Sequence, residues 1–349
     1  MTVPFSEKRI YLIGGPGGVG KTTLAASLAI RFSVQGYRTL VLTVDPAKRL
    51  AQTLGLTSFS TELRKVTLTD HPHAELHAYM LDGEHAFDRI IARFAKNEQQ
   101  KQKILENRFY RTIVESLGGS HEYAAMEQIL AFASDPQFDK IIVDTPPTQN
   151  AIDLFKAPQR LADFMDAPVI SWFQKKGGFQ LFQKGTQLAM KALQNILGSE
   201  FLEQLALFLT DLQGMQSGFR ERHLAVMEVL RGNTTAFILV TQASEARFLE
   251  SLEFQKALNQ ENIQISQLIL NRLERYWPPL TSTQLPEAHR SWLQGLHEYF
   301  EELHALQEKW AKAFQSELGV PTVYIQRLSH PTSELRTLLD LGNQILGSL

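Results

Sequence analysis

Between residues 9 and 29 the chain passes from a short apolar run into a glycine-rich loop and out into good helix formers. The run is Arg9-Ile10-Tyr11-Leu12-Ile13 and the loop is Gly14-Gly15-Pro16-Gly17-Gly18-Val19-Gly20; Lys21-Thr22-Thr23-Leu24-Ala25-Ala26 follows. Residues 15–22 satisfy G-x-x-x-x-G-K-[S/T], a pattern that background composition gives in roughly one chain in a hundred of this length. Strand before and helix after make chance rarer still. Glycines let backbone N–H groups wrap a phosphate, and the helix N-terminus adds its dipole. Gly15, Gly17, Gly18, Val19 and Gly20 are the expected cradle. Lys21 would reach the β- and γ-phosphates, and Thr22, followed by Thr23, would offer a hydroxyl to Mg²⁺. The pattern predicts a site for ATP with Mg²⁺.

A loop of this kind needs a parallel sheet behind it. Apolar runs at 39–44, 76–81, 140–143, 236–240, 268–270 and 322–325 each end in or beside a polar residue. Continuous apolar strands suit a sheet covered on both faces, with ligands beyond the strand carboxyl ends. The expected fold class is α/β, a P-loop NTPase with a mostly parallel central sheet. Residues 84–134 and 159–232 are almost wholly helical in pattern and interrupt the alternation. They are read as an inserted helical subdomain, leaving 1–83, 135–158 and 233–349 as the core. Leu285 to Leu318 reads as a long helix with Pro286 near its start.

The ends of the strands carry the remaining chemistry. Asp45 and Asp144 close the second strand and a later one; either carboxylate could hold Mg²⁺ through its waters, or serve as a helix cap or turn residue. Apolar residues of the second helical stretch, among them Met165, Trp172, Phe182, Phe208 and Met227, form either plain core or an adaptable groove. His71, His73 and His77 sit on a probable loop and strand and read as a solvated loop and not as metal ligands, and Lys96 to Lys103 as a polar helix face or linker. Composition excludes several classes. With 35 Lys+Arg against 37 Asp+Glu and a formal charge of −2, no basic excess points to nucleic acid. The absence of cysteine removes disulfides, thiolate metal sites and cysteine nucleophiles. No run approaches a membrane span, and the first residues lack a signal-peptide core, so a cytoplasmic protein is expected.

Three stretches resemble the ArsA and tail-anchored-protein-targeting ATPase family: Gly-Gly-Val-Gly-Lys-Thr-Thr at 17–23, Thr-Val-Asp-Pro-Ala at 43–47 and Val-Asp-Thr-Pro-Pro-Thr at 143–148. They correspond to its P-loop, switch I and switch II. Similarity continues through Phe109-Tyr110, residues 122–127 and Ala157 to Leu161, in the manner of a bacterial ArsA-like branch. The resemblance implies a SIMIBI-type core and a nucleotide-gated dimer, homomeric or with a paralogue, whose helical subdomain handles an apolar protein client. It implies that Asn271, with Arg272 beside it, contacts adenine and that Arg327 to Arg336 closes over the base. Asp45 or Asp144 would organise the metal. The sequence departs from the family at three points. The family's additional loop lysine, which reaches the partner's phosphates, is Pro16. The water-activating switch I aspartate is Gln52, which can orient a water but cannot act as a base. The zinc- and arsenite-binding cysteines are missing. Lys48 and Arg49 are candidates for the missing charge. Slow turnover is expected, and two other readings stand beside the ATPase: a catalytically weak nucleotide-binding scaffold, and a small-molecule kinase.

Overall fold

The computed structural model describes residues 3–44, 49–55, 62–81, 86–110, 120–147, 151–152, 216–278, 286–328 and 334–347, with isolated positions between 154 and 211. The chain divides into two compact units, one of Met1–Leu81, Phe132–Ile152 and Val229–Leu349, the other of Asp82–Ala131 and Asp153–Glu228.

The first unit is built on a sheet. Its strands among the described residues are β1 (Ile10–Gly14), β2 (Thr39–Thr43), β3 (Arg64–Val66), β4 (Leu76–Met80), β5 (Lys140–Asp144), β6 (Thr235–Thr241), β7 (Ile265–Leu273) and β8 (Thr322–Gln326). They lie in the order β3-β4-β2-β5-β1-β6-β7-β8. Every pairing is parallel except β3 with β4. The seven strands expected from the apolar runs are all present. β3 was not anticipated: three residues, Arg-Lys-Val, give neither a run nor an alternation, and an edge strand needs neither.

Every residue of β1, β2 and β5 is buried, as a sheet covered on both faces requires. One face presents Tyr11, Ile13, Val41, Ile142, Ile238 and Val240 to a cluster with Leu24, Leu28 and Phe32 of helix α1 (Lys21–Val34). Residues of opposite parity, Leu12, Leu40, Ile141, Val143 and Leu239, are equally buried. On their side Phe254 packs on Phe237 at 5.7 Å. Because β1 is apolar on both sides, its end is a fixed platform.

A short helix α2 (Arg49–Thr53) follows β2. In the second unit stand α3 (Ala86–Phe94), α4 (Glu98–Leu105), most of α5 (Ser120–Ala133) and most of α6 (Gln216–Arg231). The Glu127 carboxylate accepts from the Arg222 guanidinium at 2.9 and 2.8 Å. α4 opens with an Asn97 side-chain cap on the Gln100 N–H, 2.9 Å, so the polar stretch at 96–103 is largely a capped helix. In the first unit, α7 (Glu245–Gln260), α8 (Glu287–Leu318) and α9 (Leu335–Gly347) complete the layers. α8 starts directly after Pro286, whose φ of −54° suits helix entry. A Cβ on Gly342 of α9 would come within 2.6 Å of the Ser27 carbonyl and of Arg31 Cβ. α9 therefore rests almost backbone to backbone on α1.

The expectation for the histidines needs one correction. His77 lies in β4, its ring edge-on to Phe138 at 5.6 Å, and burial lowers its pKa. It is a half-buried strand residue packed on Phe138, on the face opposite Leu76 and Ala78, and not part of a solvated loop. Among the described residues no group of His, Asp and Glu is placed to hold a metal by itself. No helix among them is long and apolar enough to cross a membrane.

Candidate functional site

The chain leaves β1 through α1 to β2, two places away, and later builds β6, β7 and β8 on the opposite side of β1. The strand order reverses at β1. At such a switch the loops beyond the carboxyl ends diverge and leave a crevice. Residues 15–20 fill that position and lead straight into α1.

The loop owes its shape to glycine at two points above all. Gly15 has φ +146°, and a Cβ there would lie 1.9 Å from the Val240 carbonyl oxygen of β6. Gly20, the cap of α1, has φ +101°, and its Cβ would stand 2.6 Å from Asn271 Nδ2. Neither place admits a side chain. The loop's carbonyls are held from outside: Lys21 Nζ donates to Gly15 O and Pro16 O, both at 2.9 Å, and Asn271 Nδ2 donates to Val19 O at 2.7 Å. Lys21 is buried against its own loop. Pro16 is buried too.

Below the loop two hydroxyls meet one carboxylate. Thr22 Oγ1 donates to Asp144 Oδ2 at 2.8 Å, and Thr43 Oγ1 donates to the same oxygen at 3.1 Å. Asp144 is 1% exposed. Adjacent ligands of an octahedral Mg²⁺ at 2.0–2.1 Å stand about 2.9 Å apart. The Thr22 and Asp144 oxygens already have that spacing, so the residues present fit the ion. Thr145 fixes the start of the following segment by donating its hydroxyl to Ile13 O at 2.9 Å.

The result is a cleft of about 430 Å³. Loop and helix supply Gly17, Gly18, Gly20, Lys21, Thr22 and Thr23 to its wall; α2 adds Arg49, Gln52 and Thr53; Thr145, Pro147 and Arg272 close it. Arg272 has φ +58° and its N–H is held by the Asn271 side chain at 2.9 Å. That kink falls within the last residues of β7, where its register with β8 shifts, and turns Asn271 toward the loop and Arg272 toward the cleft. Gln52 is exposed at the cleft. Asp45 and Lys48 lie outside the described residues, as does Arg336's upstream stretch 329–333.

The sequence matches the family of anion-transporting ATPases over residues 8–313. The chain belongs to the anion-transporting ATPase family. Membership places it among ATP hydrolases, and the sheet order and loop just described are that family's core in this chain. It is similar to "ATPase GET3B" of Arabidopsis thaliana, 28% identical over 79% of this chain and 66% of that one. It is similar to "ATPase GET3C" of the same plant, 27% identical over 78% and 68%. A "Putative arsenical pump-driving ATPase 2" of Aquifex aeolicus is 22% identical over 87% of this chain and 93% of its own. The chain thus spans about two thirds of the length of the two Arabidopsis relatives.

Sequence reasoning missed some of what this family member brings to the cleft. Thr43, Thr145 and Pro147 fall inside the 43–47 and 143–148 stretches without a role of their own there, and their place at strand ends beside the switch point is the signal that finds them; Thr53, on α2, carries no motif. Arg247 of α7 escaped as well. Its Nη2 donates to Gly17 O at 3.2 Å and its Nη1 to Glu250 at 2.8 Å, and nothing local in residues 245–250 announces a partner at position 17.

Proposed function

We propose that the protein is a Mg²⁺-dependent, cytoplasmic ATPase whose nucleotide state gates a dimer, homomeric or with a paralogue, and an apolar protein client bound by its helical unit. The observation that carries the nucleotide part is the Thr22–Asp144 oxygen pair under a loop that has no room for side chains at Gly15 and Gly20. On ATP arrival Lys21 exchanges the Gly15 and Pro16 carbonyls for the β- and γ-phosphates, and the N–H groups of 17–22 wrap the chain of phosphates. Thr22 and Asp144, with Asp45 as a further candidate, would hold Mg²⁺, which supplies neutralising charge when bound. Gln52 orients the attacking water by its amide and takes no proton from it. Asn271 and Arg272 border the base side. The name of the Aquifex relative supports a pump-driving task, but arsenite is thiophilic and the 349 residues contain no cysteine. A protein client suits the apolar helical unit better. There Phe208 and Met227 are buried while Leu207 and Leu224 are exposed; Met165, Trp172 and Phe182 lie outside the described residues.

A second reading rests on Pro16 and Gln52: a loop without its extra cation and a switch without a base describe a nucleotide-binding scaffold that partners an active paralogue. Steady-state hydrolysis by the pure protein separates the two. The ATPase reading expects slow but measurable turnover that falls about a hundredfold or more in Lys21→Ala. Equal rates in parent and variant would leave the scaffold.

Base recognition has its own test. Asn271→Ala is expected to narrow the preference for ATP over GTP without changing the Mg²⁺ dependence. Because its amide also holds Val19 O, an equal loss for both nucleotides would assign it to the loop and not to adenine.

A further inference from the structure

We infer that Arg247 is a positioning residue of the phosphate loop: from α7 it fixes the Gly17–Gly18 peptide so that its N–H faces the cleft. The inference rests on the nucleotide reading of that cleft. Five loop carbonyls have identified donors. Gly20 O accepts from Leu24 N–H within α1 at 3.0 Å, and Val19 O accepts from Asn271. Gly15 and Pro16 are held by Lys21, which the proposed exchange sends to the phosphates. Gly17 O accepts from Arg247 Nη2 at 3.2 Å. Once Lys21 has moved, Arg247 is the side chain that still grips the loop ahead of Val19.

The geometry explains why that grip matters. In a trans peptide the C=O and the next N–H point in opposite directions. With Gly17 O turned to α7, the Gly18 N–H is turned away from α7, and Gly18 lines the cleft. Gly18 has φ +77°, and a Cβ on it would meet nothing within 4 Å. The side of Gly18 where a Cβ would lie is thus open, and a flip of this peptide would aim a carbonyl where an anion must sit. On its other side Gly17 is bordered only by Pro147, 4.0 Å from where its Cβ would be. Arg247 is itself held, through Glu250 three residues on, with both side chains one third exposed. An Arg–carboxylate pair on one helical turn keeps the guanidinium extended and leaves its second Nη for the loop.

The experiment compares the affinities of Mg²⁺·ADP and of adenosine for the full-length parent, Arg247→Met, Arg247→Lys and Glu250→Gln by isothermal titration. Arg247→Met is expected to weaken ADP about tenfold or more, the range of a charge-assisted hydrogen bond, and to leave adenosine unchanged. Lysine, which can still donate to Gly17 O, should recover most of the loss; Glu250→Gln should show a smaller loss of the same kind. Parent-like ADP affinity in Arg247→Met would overturn the assignment while leaving the nucleotide site standing. Equal losses of ADP and adenosine would overturn it as well, by exposing a general loosening of the fold. A parent that binds neither ligand would overturn the nucleotide reading and the assignment with it.

Discussion

Gly15→Ala is expected to destabilise the fold by about 3 kcal/mol or more, measured as a fall in the urea midpoint at unchanged slope. Two independent terms add. At φ +146° an L-residue is strained whatever surrounds it, and the new methyl would stand 1.9 Å from the Val240 carbonyl oxygen. That oxygen belongs to β6, which is paired to β1 through Gly14↔Leu239 and buried on both faces. It cannot retreat without parting the two strands. A midpoint equal to the parent's would mean that β1 and β6 separate at this point without cost, contrary to the tight register of the centre of the sheet.

Gly20→Val should act on ligand more than on fold. The β-branched side chain would have to adopt φ +101°, and its Cβ would fall 2.6 Å from Asn271 Nδ2. The Asn271 side chain can swing aside, so the fold bears the backbone strain of φ +101° without the strand-parting clash of Gly15, and the melting point should fall less than in Gly15→Ala. The swing gives up the Val19 carbonyl and pushes bulk into the mouth of the cleft where phosphate must approach. Loss of the loop conformation and of the free space together should weaken Mg²⁺·ADP at least about a hundredfold, on the scale of 1.4 kcal/mol per tenfold. Titration showing parent-like affinity would remove the loop from the binding site altogether.

The strands of the core could be read from the chain because buried parallel strands write themselves as unbroken apolar runs with a polar residue at the end. Tyr11, Val41, Ile142 and Ile238 are such runs, and each lies in the sheet. β3 escaped because an edge strand of three residues has no period to detect. The glycine loop was legible for a different reason: backbone that must wrap a phosphate excludes Cβ atoms at fixed spacings, and only glycine satisfies that. What the sequence did not reveal is how the loop is held between ligands. Lys21 lies on the carbonyls of Gly15 and Pro16, Asn271 on Val19 and Arg247 on Gly17. Those contacts join residues that only the completed sheet brings together, and no local pattern encodes them. Pro16 shows the limit from the other direction. The resemblance read from the sequence implies a missing charge there, yet its burial means that a lysine placed there would first have to leave the interior.

The central position of β1 also governs how the protein can be made. Ile10 is paired with Ile141 on one side and with Thr235 on the other, so the first strand to emerge during synthesis is flanked by strands that emerge far later. At about 5–20 residues per second, ten seconds or more pass before β6 exists. Throughout that interval Tyr11, Leu12 and Ile13 lack their β6 neighbour, with only the β5 edge closable once residues 140–144 have followed, and lack the covering α9, whose Leu338 and Leu341 come later still. The nascent chain therefore carries this apolar strand uncompleted until β6 has followed it.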